Sequence, residues 1–151
     1  MRAWLRRLFA RSRPAAPAAP PLDLALIQQV QRARMAHDAD AVPSQVSAVY
    51  WIEAKPSVPT RPPTTRAGFW LIETDAAHVD AVWAKVRDAT QAGLLGYKAK
   101  VSTASHTAHP AARVVQVLTR DAADADDVAR VGQALRALGI ADAVYQAAAG
   151  R

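Results

Sequence analysis

The chain has 151 residues, 51% of them hydrophobic and 21% charged, a balance that fits one globular domain able to bury a core. It contains no cysteine, which excludes disulfides, thiolate metal centres and a cysteine nucleophile. The formal charge of +6 points to anionic partners such as phosphate groups, nucleic acid or a lipid surface, but Arg2, Arg6, Arg7, Arg11 and Arg13 supply most of it from a stretch without a single acid. The rest of the chain is close to neutral, which argues against a generally basic nucleic-acid-binding body.

Along the chain, Trp4, Leu5, Leu8 and Phe9 fall on one side of a helical wheel, with Arg2, Arg6, Arg7 and Arg13 facing away. Two readings fit residues 1–13: an interfacial helix that contacts an anionic membrane, or a frayed basic tail. No run of the sequence is apolar for long enough to span a bilayer. A Pro/Ala-rich linker over 14–21 separates this stretch from a single predicted domain over 22–151. Leu24, Ile27, Val30, Ala33 and Ala36 recur at helical spacing behind Asp23, an N-cap residue, and predict a first helix ending near 38–40. Residues 47–54 are rich in β-branched and aromatic side chains and predict a strand. A proline-rich loop comes next, then a second strand over 68–74. Asp75 is placed to cap a second helix that buries Val79, Val82, Trp83 and Val86 and stops at Gly93.

Residues 97–103 and 113–119 predict two more strands, joined by a polar loop that suits an antiparallel hairpin. Asp124, Asp126 and Asp127 open a third helix, with Val128, Val131, Leu135 and Leu138 inward and Gly139 at its end, and a last strand closes over 141–147. The order implies two hairpins and an α+β domain: a curved antiparallel sheet with helices packed on one face. A doubly wound parallel fold would need regular single-strand alternation and a Gly-rich phosphate turn, and the chain has neither.

Strand periodicity puts Lys98, Lys100 and Ser102 on one side and Tyr97, Ala99 and Val101 on the other. Ammonium groups attract phosphate, and a like charge or partial burial lowers a lysine toward the range of a general base. The same pattern also describes the solvated face of any half-buried strand. His106 and His109 are candidate acids on the adjoining loop; without a third ligand nearby they predict no metal site, and no cofactor is implied. Asp121, Asp124, Asp126 and Asp127 are placed for capping, in a spacing that fits no calcium loop. Of Trp51, Trp70 and Trp83, at least two are expected to be structural, leaving Tyr50, Phe69 and Arg66 as exposed candidates for ligand contact.

The blocks "LGYKAKVSTA" and "TRDAADADDVARVGQALRALG", within a match over about 51–140, resemble the Bles-type (basophilic leukaemia expressed) family, which carries a phosphothreonine lyase domain label. The resemblance implies a fold like that of the cap-binding translation initiation factor 4E. "KAKVST" is also similar to the lysine-x-lysine-valine-threonine motif of bacterial phosphothreonine lyases. It implies Lys100 as the base that removes the α-proton while phosphate leaves, with Lys98 beside it. Where those lyases carry a histidine acid, this chain has Gly68, Phe69, Trp70 and Leu71. Methylguanine cap reading is likewise not expected, because the loop over 55–67 has no tryptophan-glutamate segment. The expectation is therefore a cytoplasmic protein whose concave face, around Lys98, Lys100 and Arg113, recognises phosphate. It is either a lyase or a noncatalytic module for a phosphorylated peptide or nucleotide; the third reading is an interaction protein that the basic segment over 1–13 brings to a surface.

Overall fold

The structure, a computed structural model, describes residues 19–105, 109 and 111–148, so the amphipathic reading of 1–13 and candidate acid His106 lie outside the described residues. In chain order the elements are α1 (Leu24–Ala39), a 3-10 turn (Pro43–Gln45), β1 (Trp51–Ala54), β2 (Gly68–Asp75), α2 (Val79–Gln91), β3 (Lys98–Ser102), β4 (Ala112–Thr119), α3 (Ala125–Ala137) and β5 (Val144–Ala147). The strands form one sheet in the order β1-β3-β4-β2-β5, with every neighbouring pair antiparallel. This is the expected α+β architecture. Only the β3–β4 hairpin of the expected two forms, because that hairpin is inserted between β1 and β2, and β1 pairs with β3 instead. Sequence neighbours are also sheet neighbours only about two-thirds of the time.

Alternation assigns the two faces. In β4, Arg113, Val115, Val117 and Thr119 are buried, whereas Val114, Gln116 and Leu118 are half-exposed. Val115 and Val117 join Ile52, Ile72, Ala99 and Val101 from the other strands, and Val79, Trp83, Val86, Val131 and Leu135 from α2 and α3, in one core. The opposite face has no helix on it among the described residues. Apolar residues at helical spacing in α2 and α3 thus meet apolar residues at period two in the sheet.

Local chemistry fixes the ends of these elements. Asp124 caps α3 by accepting from the Asp127 amide at 3.1 Å. Asp75 accepts from the amides of Ala77 and His78, both at 2.9 Å, so it caps the turn that enters α2. Gly93 and Gly139 adopt φ of 77° and 84° after α2 and α3, a left-handed stop that a side chain would strain. β1 is shorter than the predicted strand because Thr103 takes up the preceding backbone: its Oγ1 donates to the Val49 carbonyl and its amide to the Tyr50 carbonyl. In α1 the apolar stripe is uncovered, with Leu24, Ile27 and Val30 exposed. Its contact with the sheet comes at the C-terminal end, where buried Asp38 accepts from the Glu53 amide at 3.1 Å.

The connection over 55–67 is zipped to the turn after β4. The Thr64 amide donates to the Arg120 carbonyl, the Ala122 amide to the Arg66 carbonyl, and the Arg66 guanidinium meets Asp121 at 2.8 Å. The Arg66 hydrogen bond, followed by that from the Ala123 amide, holds the Asp121 carboxyl below its ordinary value. A depressed carboxyl stabilises the fold above its unfolded pKa of about 3.9 and loses that contribution as pH falls through the folded value. Asp121→Asn should therefore lower stability at pH 7 and shrink the loss on acidification between about pH 5 and 2, as read by urea midpoints across that window; an unchanged acid limb would remove Asp121 from this role.

Gly132 of α3 lies against the Trp70 indole, whose Nε1 donates to the Val128 carbonyl at 3.2 Å. A Cβ at 132 would stand 2.6 Å from the Trp70 ring. Alanine gains about 1 kcal/mol of helix propensity over glycine, while overpacking costs about 1–3 kcal/mol. Gly132→Ala should be net destabilising and lower the urea midpoint; a higher midpoint would show that the ring swings aside freely.

Candidate functional site

The uncovered face of the sheet is built from three rungs that register aligns across the strands. Trp51 pairs with Ser102, Glu53 with Lys100, Lys100 with Gln116 and Gln116 with Leu71; Lys98 pairs with Leu118 and Leu118 with Phe69. Partners in a ladder share a face, so Trp51, Glu53, Lys98, Lys100 and Phe69 look out of the same side. The lysines are thus where alternation predicted, on the open face.

Each lysine has a distinct neighbour. Lys98 Nζ lies 3.4 Å from Glu53 Oε1, and both side chains are about three-quarters buried, with 25% and 23% exposed. Lys100 Nζ sits 4.3 Å from the centroid of the Trp51 ring, a cation–π contact. Burial, then the charge of Lys98, pushes the Lys100 ammonium below its ordinary value, and the charge of Glu53 works in the other direction. Ser102 is buried and accepts from the Val114 amide at 2.8 Å, so its hydroxyl is part of the sheet.

The remaining candidates separate. Arg113 faces away from the lysines: its position pairs with Thr74 on the helix-covered side, and it is only 4% exposed. Its odd place in the β4 alternation, with Val115 and Val117, is the physical reason it does not join them. His109 is exposed on the β3–β4 connection, and its carbonyl accepts from the Ala112 amide. Trp83 is buried and Trp70 packs on the core, which leaves Trp51 as the tryptophan of the open face among the described residues. Phe69 is half-buried on that face, Tyr50 is exposed, and Arg66 is committed to Asp121. Sequence reasoning missed Glu53, the residue that ties the two lysines together. Its alternation with Trp51 was visible; the β1–β3 register that sets it against Lys100 was not.

The fold is that of the eIF4E class. C. elegans eIF4E-3, solved with the 4E-binding protein Mextli and a cap analog, aligns with a TM-score of 0.52 at 19% identity, covering 78% of this chain and 73% of that one. Schistosome eIF4E, solved with m7GpppA and 4E-BP, gives 0.56 at 14% identity over 84% and 72%. Ascaris suum eIF4E-3 with an m2,2,7G cap gives 0.50 at 18% identity over 78% and 72%. At these identities the likeness is one of fold. The chain itself belongs to the family of Basophilic leukemia-expressed protein Bles03, whose model matches residues 60–147, more than half its length. No curated protein sequence matches it.

The Lys100 environment has a measurable sign. A lysine whose folded pKa is depressed costs stability while it stays charged, and the cost is relieved as pH rises from the folded value toward the unfolded one near about 10.4. In an NMR titration of labelled lysine side chains, Lys100 should deprotonate at lower pH than a free lysine. Glu53→Gln should lower it further, because Glu53 favours the charged form. A rise in that variant would contradict the arrangement.

Proposed function

We propose that the protein is a noncatalytic binding module that holds a phosphorylated ligand, a peptide or a nucleotide, on the open face of its sheet. The observation that carries this reading is the Lys100 ammonium seated over Trp51, with Lys98 two residues away on the same face. An anion approaching the pair meets two cations, and the aromatic ring offers a flat apolar contact for the rest of the ligand. Glu53 competes for Lys98, so the anion must displace or share that carboxylate, which favours a doubly charged phosphate over a single carboxylate. That similar folds have been solved with cap analogs and 4E-binding proteins supports a nucleotide or peptide as the kind of ligand. The loop over 55–67 has no tryptophan, which speaks against the methylguanine cap itself.

One observation favours a second reading, β-elimination of phosphate from phosphothreonine with Lys100 as the general base: its ammonium is shifted toward deprotonation by burial and by Lys98. The reaction also needs an acid for the departing phosphate, and among the described residues His109 is the candidate of that type on the adjoining loop. Phosphate holding requires only the lysines, which is why binding is the stronger reading.

Mass spectrometry of phosphothreonine peptides incubated with the protein, alongside a binding titration, separates the two. The expected result is intact peptide, with affinity lowered about tenfold by Lys100→Ala, or about 1.4 kcal/mol. A product lighter by one water than a phosphatase would give, present with the parent and absent with Lys100→Ala, would establish the lyase. Peptide that neither binds nor changes would remove the lyase and the phosphopeptide, and a nucleoside monophosphate that also fails to bind in the same titration would remove the binding reading altogether.

A further inference from the structure

A second basic feature lies off the open face, where β4 leaves the sheet for α3. The connection over 55–67, the turn over 93–97, Arg120 and the first two turns of α3 line a half-open cavity of about 320 Å³. Three arginines line it, and they are not equivalent. Arg130 is fully engaged: its Nε and Nη2 hold Asp127 at 3.1 and 2.7 Å, while Nη1 and Nη2 donate to the carbonyls of Leu94 and Leu95, each at 3.1 Å. That clamp neutralises Asp127 and stiffens one wall. Asp124, also in the wall, is engaged with the Asp127 amide as the cap of α3. The helix end is therefore already served by its own carboxylates and is not the attraction.

Arg61 and Arg120 line the same cavity, and among the described residues neither guanidinium has an ion pair or a hydrogen bond. Their backbone is nevertheless positioned, because the Arg120 carbonyl accepts from the Thr64 amide at 2.9 Å and the Arg66–Asp121 pair pins the neighbouring residues. Thr60 and Tyr97, which carry hydroxyls, are also among the lining residues. The Tyr97 phenol is pushed up by burial and by the charge of Glu53, which keeps it a donor at neutral pH. Two uncommitted guanidiniums with neutral donors beside them form a set that meets a dianion with three terminal oxygens: the fork of each arginine can take two oxygens, and hydroxyls can complete the shell. The room left over exceeds what an inorganic ion fills and suits a small organic remainder.

We propose that this cavity binds a small phosphate monoester, its dianion held between Arg61 and Arg120. The assignment rests on residues other than Lys98 and Lys100, so it stands or falls independently of the open-face reading.

The test is a two-dimensional amide NMR titration of the full chain at about pH 7.5, where a phosphate monoester is a dianion, and at constant ionic strength, with inorganic phosphate, ribose 5-phosphate and acetate as probes. Expected are saturable shifts at Gly96, Tyr97 and Arg120 with both phosphates, tighter binding of ribose 5-phosphate, and none with acetate. Arg61→Gln and Arg120→Gln should each weaken the phosphates about tenfold, while Lys98→Gln leaves these shifts in place. Non-saturating shifts, or shifts unchanged in both arginine variants, would overturn the site. Inorganic phosphate binding as tightly as ribose 5-phosphate would overturn the monoester, and shifts abolished by Lys98→Gln would move the anion to the open face.

Discussion

Val115 and Val117, fully buried in the middle strand, are the constraint on which the arrangement depends. They face α2 and α3, and β4 is paired along both edges, to β3 and to β2. Once those two valines point at the helices, strand alternation and the ladder register dictate the direction of every other side chain in β1, β2 and β3. A slip of one residue would exchange the faces wholesale and bury two lysines. The open face is therefore as firmly specified as the core. The geometry of this face is set by residues that no ligand would touch.

The electrostatics of the open face are local. Most of the excess positive charge lies in the first thirteen residues, and the described body pairs some of its basic side chains with carboxylates, such as Arg66 with Asp121, Arg87 with Asp88 and Arg130 with Asp127. The group of Glu53, Lys98, Lys100 and Trp51 has more cations than anions within a half-buried setting. Partial burial sharpens both effects: it raises the cost of keeping Lys100 charged, and it makes any anion that restores balance more strongly held. A fully solvated pair of lysines would be screened and would discriminate little.

Much of the fold was legible because it is written in periodicity. The apolar rows of α2 and α3, the Gly93 and Gly139 stops, the Asp124 cap and the alternation of β3 and β4 all come from local rules, and each was read at close to its observed position. The failures are of two physical kinds. Pairing is a long-range property: nothing within residues 47–54 indicates that their partner is β3, and the assumption of a β1–β2 hairpin came from adjacency in sequence. Face assignment at an isolated polar residue is the other. Arg113 looked like a third phosphate ligand because it is charged and near the lysines in sequence, yet it shares the parity of Val115 and Val117. The exposed stripe of α1 shows the complementary limit, since apolar periodicity announces a helix but not what covers it. The 320 Å³ cavity could not have been read at all, because its walls come from three separate connections.

Family membership and the lysine motif make different claims on this site. Membership covers residues 60–147 and therefore includes β3, β4 and the connection carrying His109, but a shared domain fixes a fold before it fixes a reaction. A lysine-x-lysine spacing is what any strand with one wet face offers, and the depressed Lys100 is already explained by burial and a like-charged neighbour. The same two causes that would prepare a base also arise wherever cations are gathered to hold a dianion. What distinguishes a lyase from a binder is therefore not the state of Lys100 but a second group able to protonate a leaving phosphate within reach of it. On the face as built, the described groups beside Lys100 are an aromatic ring, the Lys98 ammonium held at the Glu53 carboxylate, and the amide of Gln116. Of these only the Lys98 ammonium has a proton to give, and giving it up would remove the second cation that holds a dianion, so the binding reading asks less of this face than the lyase reading does.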